Sequence, residues 1–372
     1  MRTKRLFFCL LTALCLLMSG CAPRQAAPTA APTATPTAEP EQLALTKYSI
    51  TFYDAFDTKT QVIGFAVDEA TFDRVFGQVE AQFLRYHRIF DGYNAYEGVH
   101  NLYEVNLHAA EGPTPAEPEL IALLQYMKEL QPALQGRVNV AMGAVLSLWH
   151  EYREAGVAVP PLEELQARSA HCNFDDVILD AEANTVYFAD PELTLDLGAI
   201  AKGYTVEIVA SWLLTSDMPS YIISAGGNVR AGAAPQDGRA RWSVGIQDPD
   251  DALFTTANGI KDVIFLSDLS VVSSGDYQRY YVVDGVRYHH IIDPDTLYPS
   301  AYVRQTTVVT ADSGYADALS TCLFLLPYED ARALVDSLEG VEAYWVLNDG
   351  SVQYTDGMAA LLRSRGATAY DY

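Results

Sequence analysis

Apolar residues recur at helical spacing from 69 to 89, where Phe72, Val75, Phe76, Val79, Phe83 and Tyr86 fall on one face. Residues 117–134, 200–214 and 315–326 repeat that spacing, and Pro327 stops the last run. Elsewhere the period drops to two. Tyr48, Ile50 and Phe52 alternate with Ser49 and Thr51 ahead of a second apolar run at 62–66, so 48–67 predicts a hairpin. Residues 176–179 and 185–189 predict two short strands about a turn. Strands then crowd the second half, at 220–224, 240–246, 261–267, 271–273, 279–283, 288–292, 306–310, 341–347 and 351–354. There is no internal repeat. The pattern predicts an α+β body with mixed, largely antiparallel sheets and packed helices.

The first 45 residues follow a different rule. Arg2, Lys4 and Arg5 precede an apolar run from Leu6 to Met18, then Ser19-Gly20-Cys21. A positive start, a short apolar stretch and small residues before a cut make a secretory signal, too short to span a membrane comfortably. Cys21 after Ser-Gly resembles the bacterial lipobox, in which that cysteine is lipidated and becomes the new first residue. Met18 stands where an aliphatic residue is usual, and a plain secreted protein cut nearby is the alternative. Residues 22–41 are rich in Ala, Pro and Thr with almost no large apolar side chain, the composition of an extended tether. The expected organisation is a lipoprotein signal over 1–20, a tether over 21–45 and one body over 46–372, held at the extracytoplasmic face of a bacterial membrane.

Charge narrows the partners. The chain carries −24, and loss of Arg2, Lys4 and Arg5 with the signal takes it to about −27. That argues against nucleic acid, whose phosphates need a basic face, and against anionic lipid bound by charge. Only Cys172 and Cys322 lie in the body, so there is no disulfide scaffold and no zinc-like Cys/His spacing, although one bridge between the two stays open.

Five segments carry candidate chemistry. Leu195-Asp196-Leu197-Gly198-Ala199-Ile200-Ala201-Lys202-Gly203 reads as a strand end, a glycine corner and a helix start with a lysine nearby. Helix starts attract anions, because their first N–H groups have no partner inside the helix; an ordinary strand-to-helix connection is the other account. On the helix near 315–326, Asp317 and Thr321 are four apart and share a face. A carboxylate and a hydroxyl, completed by carbonyls and water, suit Mg²⁺ rather than zinc; equally, Thr321 could back-bond to its helix and Asp317 complement the helix dipole. Gly226-Gly227 makes either a tight turn or a close ligand approach. His290, ahead of Ile291-Ile292-Asp293-Pro294, is a general-base candidate or a structurally bonded histidine, with His289 expected to point outward. The last segment is Val138-Asn139-Val140-Ala141-Met142-Gly143, leading to Trp149 and His150, which are expected in the core and on a helix surface.

In this order the segments resemble the ApbE-type flavin transferases, the FAD:protein FMN transferases, in the lipoprotein form. The likeness rests on Asp196 to Tyr204, Ser274-Gly275-Asp276-Tyr277, His290 to Pro294 and Ala316 to Thr321. The resemblance implies FAD as substrate, Mg²⁺ on its pyrophosphate, transfer of FMN to a threonine or serine of another protein, and release of AMP. Carried over by position, it implies Ala199 (through its carbonyl), Asp317 and Thr321 as metal ligands. It implies Val138, Asn139, Asp196, Lys202, His290 and Ile291 as FAD contacts, with His290 as the catalytic base and Asp276 or Asp293 in reserve. Two departures from the family pattern are visible: Ala199 replaces the commoner glycine, and Leu297 stands where the loop after Pro294 has glycine, so that loop is expected to differ in shape. The alternatives are an FAD pyrophosphatase using water at the same site, or a flavin-binding lipoprotein without catalysis. Self-flavinylation is not expected, because no Ser/Thr-Gly-Ala-Ser/Thr acceptor segment is present.

Overall fold

The computed structural model describes residues 44–251 and 259–371; the signal, Cys21 and nearly all of the tether lie outside them. The expected first hairpin is β1 (Thr46–Phe52) with β2 (Thr60–Ala66), Ser49 opposite Ile63. The first helix, α1 (Glu69–Phe90), starts on Asp68, whose carboxylate accepts from the Thr71 N–H at 2.8 Å. Its Phe72, Val75, Phe76, Val79 and Phe83 are buried as the spacing requires. There follow α2 (Leu102–His108), β3 (Thr114–Pro115), α3 (Pro118–Leu130), α4 (Gly143–Ala155) and α5 (Leu162–Ser169). The second expected helix thus ends at Leu130, not 134, after a proline start that needs no N–H. The pair β4 (Val177–Asp180) and β5 (Thr185–Phe188) joins β3 in a small sheet ordered β3-β5-β4.

After α6 (Ala201–Leu214) comes the hairpin of β6 (Tyr221–Ala225) and β7 (Asn228–Ala231). Gly226 and Gly227 join them at φ 54° and 99°, the positive pair that a two-residue turn between twisted strands needs. They therefore make the turn. The remaining elements are β8 (Trp242–Gln247), β9 (Ile260–Leu266), β10 (Ser270–Gly275), β11 (Tyr280–Val283), β12 (Val286–His289), β13 (Gln305–Thr310), α7 (Ser313–Phe324), α8 (Tyr328–Asp336), β14 (Glu342–Val346), β15 (Val352–Tyr354) and α9 (Asp356–Ala359). The main sheet runs β1-β2-β6-β7-β10-β13-β14-β15, antiparallel throughout. Its alternate residues face two cores. Val62, Ile223, Val272, Val308 and Trp345 meet the helices, while Phe65, Val271, Val309 and Tyr344 meet the paired β8 and β9. Cys172 and Cys322 are free thiols. The architecture is the expected α+β. Helix α7, buried along most of its length, lies against β10, β13 and α6 and carries Asp317 into the interior.

Candidate functional site

Two separate segments build one wall. The Asp196 N–H donates to the Val140 carbonyl at 2.8 Å and the Gly143 N–H to the Thr194 carbonyl at 2.9 Å, so 138–143 lies against 194–196. Val138 is buried. Asn139 spends its amide locally: Nδ2 donates to the Cys172 carbonyl at 2.7 Å and Oδ1 accepts from the Ala141 N–H at 2.9 Å. Its side chain braces the wall. Asp196 accepts from the Gly198 N–H at 2.7 Å and is half-buried; burial pushes its carboxyl upward, against Gly198, Arg279, His150 and Arg153.

The glycine corner leads into α6, whose first helical bond is Tyr204 N–H to the Ile200 carbonyl, so the Gly203 N–H in the first turn has no partner inside the helix. It donates instead to Asp317 Oδ2 at 2.9 Å, and among the described residues no hydrogen bond reaches the Ala199 carbonyl just ahead of the helix. Lys202 Nζ lies 3.8 Å from the same Asp317 oxygen. This convergence needs glycine at 203, because a Cβ there would sit 2.4 Å from the Ser313 carbonyl oxygen and 2.5 Å from Asp317 Cβ. Asp317 is 5% exposed; burial raises its pKa, while Lys202, the Gly203 N–H and the Asn228 amide oppose that rise. One turn on, Thr321 Oγ1 lies 3.4 Å from Ser274 Oγ, which is 2.8 Å from Ser320 Oγ. The structure thus brings Lys202, Gly203 and Asp317 together, with the open Ala199 carbonyl one turn before Gly203 and Thr321 one turn after Asp317.

His289 does not point outward as expected. His289 is buried, its Nε2 donating to the Ser300 carbonyl at 2.7 Å and its Nδ1 accepting from the Ile291 N–H at 3.2 Å. Both ring nitrogens are committed, so His289 is structural and neutral. His290 lies just past the end of β12, where strand alternation no longer holds, and its Nδ1 is buried with no described partner. Burial together with Arg279, His289, Lys202 and Arg153 lowers its pKa to about 3. Ile291 is buried beside it. The reserve bases are otherwise occupied. Asp276 lies 3.3 Å from Arg304 Nε and 3.5 Å from Arg287 Nη1, and Asp293 accepts from the Asp295 N–H at 2.8 Å, organising its own turn.

In that turn Leu297 sits at φ 62°, a conformation that suits glycine and costs a branched residue about 1–2 kcal/mol. The leucine therefore occupies a left-handed position despite its side chain, which is buried with Trp149 and Ile292. Trp149 Nε1 donates to the Leu297 carbonyl at 2.9 Å, confirming the tryptophan as core.

Residue spacing did not point to Arg153 or Arg279. Arg279 opens a predicted strand and Arg153 follows the Trp149-His150 segment, but nothing in either pattern marks them, and their shared influence on Asp196 and His290 exists only in the folded chain. Tyr93 and His150, with ring centroids 5.7 Å apart, belong to the same neighbourhood. No group of three or more His, Cys, Asp or Glu among the described residues could hold a metal. One buried carboxylate, an open carbonyl and a hydroxyl are nonetheless the hard-oxygen donors that Mg²⁺ takes while keeping places for water and phosphate. The donor set fits that ion.

Comparison with known proteins gives the chain's family and fold. The model of the ApbE family matches residues 46–345. The chain is 34% identical over 277 residues to the FAD:protein FMN transferase of Treponema pallidum, covering 70% of this chain and 75% of that protein. It is 30% identical over 286 residues to the FAD:protein FMN transferase of Klebsiella pneumoniae, covering 77% and 84%. The crystal structure of the ApbE protein from Thermotoga maritima superposes with a TM-score of 0.74 at 25% identity, over 85% of this chain and 99% of that one. The flavin transferase ApbE from Vibrio cholerae superposes at 0.71 and 23% identity, with the same coverage.

Proposed function

The chain belongs to the ApbE family and is a transferase, and on that premise we propose that it moves FMN from FAD to a threonine or serine hydroxyl of an extracytoplasmic acceptor protein, releasing AMP. The observation that carries the reading is the meeting of Asp317 with the first turn of α6, where it accepts from the Gly203 N–H and lies 3.8 Å from Lys202 Nζ, beside the Ala199 carbonyl that no described N–H takes. Asp317, the Ala199 carbonyl and Thr321 Oγ1 would hold Mg²⁺. Bound there, the ion supplies positive charge to the substrate's pyrophosphate. Lys202 adds a second cation, in a chain whose net charge would otherwise repel such a ligand.

The residues then position the reactants. Asp196 and the segment at Val138 and Asn139 form one wall, and His290 with Ile291 the other. The acceptor oxygen forms a bond to the FMN phosphorus as the bond from that phosphorus to the AMP oxygen breaks. The hydroxyl proton passes to His290 Nδ1, which is unprotonated at neutral pH and has no described partner. A pKa near 3 makes this nitrogen a weak base in the free protein; an anionic ligand set against the surrounding cations raises it. Lipidation at Cys21 and the tether would hold the enzyme at the outer face of the cell membrane, within reach of an acceptor.

The test is incubation with FAD, Mg²⁺ and a purified extracytoplasmic acceptor, read by intact mass. One FMN on one acceptor threonine or serine, with AMP released and Asp317→Ala inactive, is the expected result. FMN and AMP free in solution with an unmodified acceptor would instead make the protein a pyrophosphatase. FAD bound but unchanged would make it a flavin-binding lipoprotein.

A further inference from the structure

Two guanidinium groups at this site have no carboxylate partner among the described residues. Arg153, in the last turn of α4, donates from Nη2 to His150 Nδ1 at 2.6 Å, and that ring packs against Tyr93 at 5.7 Å. Arg279 stands immediately before β11, its carbonyl accepting the His290 N–H at 3.0 Å, which fixes its backbone beside the histidine. Ion pairs engage most other arginines of the described body, including Arg137, Arg230, Arg287 and Arg304, yet neither of these two. Asp196, Tyr93 and His290, from three separate segments, each lie within the field of both guanidiniums.

Charge makes this arrangement pointed. Lys202 already pairs with Asp317, so Asp196 is the carboxylate left to face two full positive charges, and its own burial disfavours ionisation. An excess of cation held open in so acidic a chain stores repulsion that an anion relieves. A guanidinium suits phosphate oxygens, because its N–H groups form a planar fork that never deprotonates.

We propose that Arg153 and Arg279 form a guanidinium pair that binds the diphosphate of the substrate and makes the site select dinucleotide over mononucleotide flavin. The inference rests on the proposed use of FAD and adds the residues that sense its second phosphate. Arg153 is held by its bond to His150 Nδ1, and the backbone of Arg279 by its bond from the His290 N–H. His150 is accordingly a positioning residue. The pair acts on binding, so its loss raises KM for FAD more than it lowers kcat.

The experiment measures dissociation constants of FAD, FMN, ADP and riboflavin for the native protein, Arg153→Gln, Arg279→Gln and the two Lys variants, with Mg²⁺ and with chelator. Each Gln variant is expected to weaken FAD and ADP at least tenfold and FMN less than threefold, with riboflavin unchanged. The Lys variants recover part of the loss, and melting temperatures stay within about 2 °C because no ion pair is broken. FAD affinity within twofold of native in both Gln variants overturns the proposal, as does an equal loss for riboflavin. ADP separates this inference from the reaction assigned above. Weakened ADP binding in a protein that transfers no FMN keeps the guanidinium pair and removes the transferase reading. Native-like ADP and FAD binding in variants of an active transferase does the reverse.

Discussion

Replacing Gly203 with alanine tests the junction on which the site depends. The new Cβ would lie 2.4 Å from the Ser313 carbonyl oxygen and 2.5 Å from Asp317 Cβ, whereas ordinary contact begins at 3.4 Å. Helices α6 and α7 must therefore separate by about 1 Å. Overpacking of this kind costs roughly 1–3 kcal/mol, of which alanine's better helix propensity returns up to about 1 kcal/mol. A net loss of about 1–2 kcal/mol lowers the melting temperature by roughly 1.5–3 °C in a domain this large. Catalysis suffers more. The shift carries the Gly203 N–H and Lys202 away from Asp317, and a 1 Å misplacement of reacting groups costs about 10²-fold. Gly77 supplies the control: it is exposed within α1 with no atom within 4 Å of its added Cβ, so Gly77→Ala gains about 0.5–1 kcal/mol and leaves activity unchanged. Scanning calorimetry and FMN-transfer kinetics on both variants decide the matter. A Gly203→Ala protein that melts with the native one and transfers FMN within twofold of its rate would refute the reasoning.

Other expectations follow from single residues. Leu297→Ala should cost about 2–5 kcal/mol for the lost buried side chain while leaving the backbone left-handed. Leu297→Gly relieves that strain at a smaller entropic cost, so it should be milder by about 0.5–1 kcal/mol in urea denaturation, an inversion of the usual order of alanine and glycine. His290 stays neutral in the fold down to about pH 3, whereas in the unfolded chain it protonates below about 6.5. Its contribution is therefore fully present above pH 6.5 and is lost as pH falls toward 3; His290→Asn should flatten the acid limb of the stability curve over that window. Cys21→Ser should leave the melting temperature unchanged and move the protein from the membrane fraction to the soluble one.

The legible parts of the chain were those where one short-range rule dominates. The spacing of α1 is unmistakable because five apolar residues must share a face, and the hairpin of β1 and β2 alternates cleanly. Strand β7 is not legible, since four residues directly after a two-glycine turn leave little pattern. The short helices α2, α5 and α8, of 7, 8 and 9 residues, likewise hold too few turns to show a period. At the site, the four-residue spacing of Asp317 and Thr321 correctly put both on one helix. What the spacing could not show was that Asp317 would capture an N–H from another helix, or that an arginine of α4 and one directly before β11 would both act on Asp196 and His290. His289 was misjudged for a local reason: β12 ends at that residue, so the alternation that set it outward does not carry on to His290.

The interleaved strand order has a consequence for how the protein acquires its activity. Strand β10 pairs with β7 on one side and β13 on the other, and the site draws on residues from Val138 to Thr321. No amino-terminal fragment that stops short of α7 contains both halves of it. A chain delivered from its amino terminus cannot capture its ligand early as a folding template; the loop closures that join its distant strands must come first. Ligand occupancy is then linked to the global folding equilibrium, and a ligand at one hundred times its dissociation constant should add about 2.7 kcal/mol to the stability of the whole body. Thermal stability is thus a direct report of what the site holds, even for a compound that never turns over.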